Sequence, residues 1–94
     1  HSKITLVISK GKKETTYSYS IANPYDGECT YSIVELNKSG TIPKNGAINI
    51  SDVTRSELTI TLTYTPTFTT EDGNTITLDD KKETSTQTVQ GTPN

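Results

Sequence analysis

Between Glu57 and Thr65 the sequence reads ELTITLTYT, with Leu58, Ile60, Leu62 and Tyr64 alternating against Thr59, Thr61 and Thr63. A strict period of two places the four large side chains on one face of an extended strand and the three hydroxyls on the other. On a helix the same four residues would fall on opposite sides of the axis, so no helix can bury them together. This segment commits the chain to burying one face of a sheet and leaving the other wet, the habit of antiparallel sheets. The composition carries the commitment through the whole chain. Thr, Ile and Val together supply 32 of 94 residues, whereas Ala occurs twice and Met not at all. β-Branched side chains pack well on a pleated surface and lose χ1 freedom in a helix.

The remaining segments repeat the period and add turn chemistry. Lys3–Ser9 sets Ile4, Leu6 and Ile8 on one face, and Lys10-Gly11-Lys12-Lys13 reads as a hairpin tip. In Glu14–Ile21, Tyr17, Tyr19 and Ile21 point inward. The stretch Asn23-Pro24-Tyr25-Asp26-Gly27-Glu28 is a loop by its turn formers. Cys29–Leu36 is a third strand of mixed register: Tyr31 and Ile33 share one face, Val34 and Leu36 the other, as a bulge or a strand buried on both faces would allow. Asn37–Gly40 is expected to be a tight turn. Thr41-Ile42-Pro43 can be only a short edge segment, because Pro43 cannot donate to a ladder. Asn45-Gly46 suits a hairpin turn with positive φ at both central positions. Ala47–Ser51 is a short strand with Ile48 and Ile50 inward, and Asp52–Ser56 is a connection. After Pro66, Glu71-Asp72-Gly73-Asn74 is a second turn, followed by a strand with Ile76 and Leu78 inward. Glu83–Val89 has strand propensity with only Val89 to anchor it, and residues 90–94 read as a linker stub.

About seven short strands at spacings near ten residues define the expected fold: all-β, a small antiparallel β-sandwich. Residues 1–94 are expected to form one such domain. In size, strand spacing and Thr content the chain resembles the immunoglobulin-like modules strung along bacterial surface proteins. It departs from antibody-type domains in lacking the Cys…Trp…Cys core, having one Cys and no Trp. The resemblance implies an immunoglobulin-like sandwich in an exported, extracellular or cell-surface protein, with neighbouring domains of the parent protein as partners. A start at His1-Ser2 without a leader reads as a processed or excised segment, His1-Ser2 fitting a tag remnant.

The same numbers exclude whole classes of function. The net charge is -2, so nothing draws the chain to nucleic acid by electrostatics. No apolar run approaches the length of a membrane span. One Cys and one His cannot make a zinc site. The single His1 sits at a terminus, which leaves Ser or Cys nucleophiles without a base. No enzyme activity, no metal and no cofactor are expected. Asp72, Asn74 and Asp79 offer three oxygens for calcium, but Asp-Gly and Asn are ordinary turn formers and Lys81-Lys82 lies close by. An isopeptide crosslink would need Lys3 or Lys10, Asn94, and Glu35 or Glu57 as the assisting acid. Asn94 lies past Gly91 and Pro93, in solvent, which counts against it.

The candidate binding residues are Asn23, Tyr25 and Asp26. Tyr25 is the one Tyr outside a strand, and loop Tyr beside polar groups suits a binding surface as well as it suits capping a thin core. The expected function is a non-catalytic module of an exported bacterial surface protein, acting as stalk, spacer or adhesive domain for a protein or glycan ligand. A phage or virion decoration or tail module is the alternative with the same fold. A carbohydrate-binding module is a further alternative, weakened by one Phe, no Trp and Tyr residues that point mostly inward.

Overall fold

The computed structural model describes residues 14–94, which form nine strands and two single 3₁₀ turns. The expected strand Lys3–Ser9 and its hairpin tip lie outside the described residues. Strands β1 (Tyr17–Ala22), β4 (Ala47–Val53) and β9 (Thr92–Pro93) form one sheet in the order β4-β1-β9. Strands β2 (Cys29–Ile33), β3 (Lys38–Ile42), β5 (Glu57–Tyr64) and β8 (Glu83–Gln90) form a second, ordered β3-β2-β5-β8. Among the described residues, strands β6 (Thr67–Thr69) and β7 (Thr75–Thr77) pair only with each other. Every pairing is antiparallel. The chain is all-β, and its two larger sheets pack into a small sandwich.

The core follows from the alternation. Tyr19, Ile21, Ile50 and Val53 come from one sheet, and Cys29, Tyr31, Ile33, Ile42, Leu58 and Ile60 from the other, in a single buried cluster. Ile33, Ile42 and Leu58 are wholly buried. Cys29 is buried too, and its thiol is pushed above its usual range by desolvation and then by the Glu28 charge. β5 carries the pattern read from its sequence, paired on one edge with β2 and along its full length with β8.

Several segments differ from the expectation. β2 stops at Ile33, and Val34–Leu36 turn as a 3₁₀ unit closed by Asn37 N–H donating to Val34 O. This resolves the mixed register without a bulge: Val34 is 74% exposed because it has left the sheet. Asn37 takes φ +48°, so the reversal falls earlier than the expected Asn37–Gly40 turn. Residues Lys38–Ile42 become a five-residue edge strand. β4 runs past Ser51 through a bulge, since Tyr17 pairs with Val53 but Tyr19 with Ile50. Asp52 takes φ +59° there, and the extra residue returns Val53 to the interior after Ile48 and Ile50. In the Pro43–Gly46 turn Gly46 N–H donates to Pro43 O, and only Asn45 has positive φ. The turn is thus centred on Lys44-Asn45 and not on Asn45-Gly46. Ile76 faces water, because β7 belongs to a separate arm.

The expected linker at 90–94 is also tied down. Thr92 and Pro93 pair with Ser18 and Tyr17. Asn94 N–H donates to Thr16 O, its Nδ2 donates to Thr16 Oγ1, and its Oδ1 accepts from Ser18 Oγ. The crossing from β8 to β9 needs Gly91, where an added Cβ would lie 2.7 Å from both Tyr17 Cβ and Tyr19 Cζ. Tyr19 cannot retreat, since its hydroxyl donates to Arg55 O at 2.6 Å. Gly91→Ala is expected to cost about 1–3 kcal/mol by overpacking, read as a lower urea midpoint at unchanged slope.

Where β2 ends, the Thr59 N–H of β5 has no ladder partner. Glu35 takes it, both carboxylate oxygens accepting at 2.9 Å. That bond, followed by the one from its own amide, holds the Glu35 carboxyl below its usual range. A depressed carboxylate pKa adds stability above the unfolded value, and the gain is lost as pH falls through the folded value. The melting-temperature gap between the natural chain and Glu35→Gln should therefore be constant from neutral pH down to about 5 and close below about 4.

Candidate functional site

The loop after β1 and the arm after β5 lie at one end of the sandwich. Asn23, the first residue past β1, is the only buried polar residue among those described. Its Nδ2 donates to the carbonyls of Gly27, Ile42 and Pro43 at 2.8, 3.0 and 3.1 Å. Its Oδ1 accepts from Tyr25 N–H at 2.8 Å, and its own N–H donates to Gly46 O. One short carboxamide thus gathers the Pro24–Glu28 loop and the β3–β4 turn onto the end of β1, satisfying carbonyls that the strand ends leave without partners. It is wholly engaged within the chain and offers no polar atom to a ligand.

Tyr25 is half-buried and packs on the core. Its ring stacks on Tyr64 with centroids 5.0 Å apart and planes 10° from parallel. Gly27 lies against the edge of the Tyr64 ring, where a Cβ would come within 2.9 Å of Cε1. Tyr25 therefore closes the end of the core while its outer surface remains open. Asp26 is exposed and pairs with Lys44 at 2.8 Å, joining the two loops that Asn23 also joins. The Lys44 hydrogen bond, reinforced by its charge, lowers the Asp26 pKa, and the same bond raises that of Lys44. Both side chains are solvated, so the pair orients the loop more than it stabilises it.

Beyond Tyr64 the chain leaves the sandwich as the β6–β7 arm. Phe68 pairs directly with Ile76, flanked by Thr67↔Thr77 and Thr69↔Thr75. The tip closes with Gly73 N–H donating to Thr70 O and Thr70 N–H to Asn74 O, Gly73 taking φ +84°. This is a type I turn followed by a left-handed residue, as three-residue hairpin loops prefer. Phe68 is 58% exposed and Ile76 48% exposed. The alternation Thr-Phe-Thr and Thr-Ile-Thr was readable in the sequence, but it reads equally well as a core-facing pair. What the sequence lacked was any sign that the arm has no sheet to lie on.

The other chemical candidates do not converge. Among the described residues no three His, Cys, Asp or Glu side chains are grouped to hold a metal ion. Asp72 and Asn74 lie at the tip of the arm, and Asp79 lies in the 3₁₀ turn beyond its base. Asn94 is engaged by Thr16 and Ser18, Glu35 by Thr59, and Glu57 accepts from Gln90 Nε2. Comparison with protein-family models, with curated proteins and with solved structures finds no match.

The geometry at Asn23 gives a sharp expectation. Asn23→Ala strands three carbonyls and one amide and should cost about 2–3 kcal/mol. Asn23→Asp should cost more at neutral pH, because it turns an acceptor toward those carbonyls. Equilibrium denaturation of both variants at neutral and acid pH checks the order, which should narrow as the Asp is protonated.

Proposed function

We propose that the chain is a non-catalytic, immunoglobulin-like module of an exported bacterial surface protein, serving as a spacer that presents one end for contact with a protein ligand. The strand order supports the immunoglobulin-like part. β3-β2-β5-β8 facing β4-β1, with crossings between sheets after β1, β3 and β4, has the connectivity of the C′-C-F-G sheet facing strands E and B. The observation that carries the contact role is the Phe68–Ile76 pair held in water on the β6–β7 arm. A two-stranded hairpin is marginal on its own, and leaving its only large apolar pair uncovered does nothing for the fold. A partner that covers Phe68 and Ile76 gains apolar burial, and the open face of Tyr25 lies at the same end.

Trypsin treatment of intact cells that make the parent protein tests the surface assignment. Peptides ending at Lys81 or Lys82 should be released without lysis. Their appearance only after lysis would overturn it. For the contact role, the Phe68→Ser, Ile76→Ser double variant is expected to keep the melting temperature of the natural chain and to lose attachment of the displayed module to host-protein-coated surfaces. Unchanged attachment would remove the arm from the reading.

A further inference from the structure

The turn that Asn23 holds contains a reactive dipeptide. An Asn side-chain amide is attacked by the backbone nitrogen of the next residue when that nitrogen can lose its proton and approach Cγ. Pro24 follows Asn23 and has no N–H to lose. Lys38, Ile50 and Thr75 follow Asn37, Asn49 and Asn74, and their side chains crowd the approach. Gly46, after the exposed Asn45, carries neither restraint. Asp26-Gly27 and Asp72-Gly73 share the open glycine, but an ionised carboxylate is a poorer electrophile than a neutral amide, and Lys44 at 2.8 Å keeps Asp26 ionised.

The fold needs both members of the pair. Asn45 takes φ +62°, a backbone region that Asn tolerates better than most side chains. A Cβ on Gly46 would lie 2.7 Å from Pro43 Cγ and 3.0 Å from Pro43 O. The turn therefore cannot exchange the pair for a slower one without strain. The same turn also restrains the reaction. Gly46 N–H, whose proton must leave, donates to Pro43 O at 2.9 Å. Pro43 O accepts from Asn23 Nδ2 as well, at 3.1 Å, and Gly46 O accepts from Asn23 N–H at 2.9 Å. One residue thus holds both the acceptor of that proton and the residue that carries the attacking nitrogen. We propose that Asn45 is a site of spontaneous modification through a succinimide, gated by Asn23: the ring closes when the Asn23 bonds to Pro43 and Gly46 open. The only reagents are water and solvent base. Gly46 N loses its proton and bonds Asn45 Cγ, the Cγ–Nδ2 bond breaks, and Nδ2 takes up a proton and leaves as ammonia. Water then opens the ring at either carbonyl, giving Asp or isoaspartate. Both products set a carboxylate beside Lys44 in competition with Asp26, and isoaspartate lengthens the four-residue turn by a methylene. Either change loosens the hold of the β3–β4 turn on the Pro24–Glu28 loop.

Peptide mapping of the full chain held in mildly alkaline buffer tests both parts. Trypsin cuts after Lys44 and Arg55, and fragmentation of the Asn45–Arg55 peptide separates Asn45 from Asn49. Asn45 should convert before Asn37, Asn49 and Asn74. It should do so about tenfold or more slowly in the folded chain than in the same chain unfolded in urea, because the attacking nitrogen is free only in the open turn. Asn23→Ala should speed conversion in the folded chain about tenfold or more, since opening then breaks fewer hydrogen bonds, and Asn23→Ser, a milder loss, should fall between. Val53→Ala, which thins the core away from the turn, should leave the folded rate within about twofold, as local opening requires. Earlier conversion at another of these Asn residues overturns the site. A folded rate equal to the unfolded one, a rate unchanged in both Asn23 variants, or an equal acceleration by Val53→Ala overturns the gate.

Discussion

Among the described residues a core of ten buried side chains has to hold two sheets together. That scarcity is the constraint on which the rest of the structure depends. With so little apolar area, main-chain groups left unpaired where strands end would weigh heavily against the fold. The chain meets this at each place with a polar side chain that reaches a backbone group. Asn23 satisfies the carbonyls of Gly27, Ile42 and Pro43 at one end. The Tyr19 hydroxyl serves Arg55 O under the β4–β5 connection. Glu35 takes the Thr59 amide where β2 runs out, and Asn94 fastens β9 to Thr16 and Ser18. These four side chains lengthen the ladders beyond what the apolar residues alone could support.

This explains which parts of the fold were legible in the sequence. Segments whose state is set by their own face showed through. β5 appeared through Leu58, Ile60, Leu62 and Tyr64, and β1 through Tyr17, Tyr19 and Ile21. Segments settled by a distant partner did not. Val34 looked like half of a two-faced strand because nothing in its neighbourhood says that β2 stops at Ile33. Lys38–Gly40 looked like a turn because its Lys, Ser and Gly suit one, and only pairing with β2 joins it to the edge segment read at Thr41-Ile42. Thr92 and Pro93 carry no strand signal at all, and their place depends on Gly91 passing over Tyr17 and Tyr19. The candidate site divides in the same way. Asn23, Tyr25 and Asp26 were singled out for loop chemistry, and the structure places all three at one end. Their bonds within the chain, 19 or 20 residues away for Asn23, could not be read from neighbours.

The arm shows how one pattern serves opposite ends. Thr-Phe-Thr and Ile60-Thr61-Leu62 have the same alternation, yet Ile60 is buried and Phe68 is not. The difference is the sheet beneath. β5 is flanked by β2 and β8 and faces the other sheet, so its apolar side meets a surface already apolar. Pro66 ends that pairing, and among the described residues the next strands have only each other. A Thr-rich hairpin of three pairs buries nothing across its face, and its apolar side is exposed by default.

The polar inner face of β8 follows from the same logic. Among the described residues no strand lies over the inner positions Ser85, Gln87 and Val89, and two of the three are polar. Three large apolar residues there would have left, among the described residues, an uncovered hydrophobic trench, an invitation to indiscriminate pairing. Val89 alone of the three packs against the core, so β8 is held to the sandwich mainly by its ladder to β5.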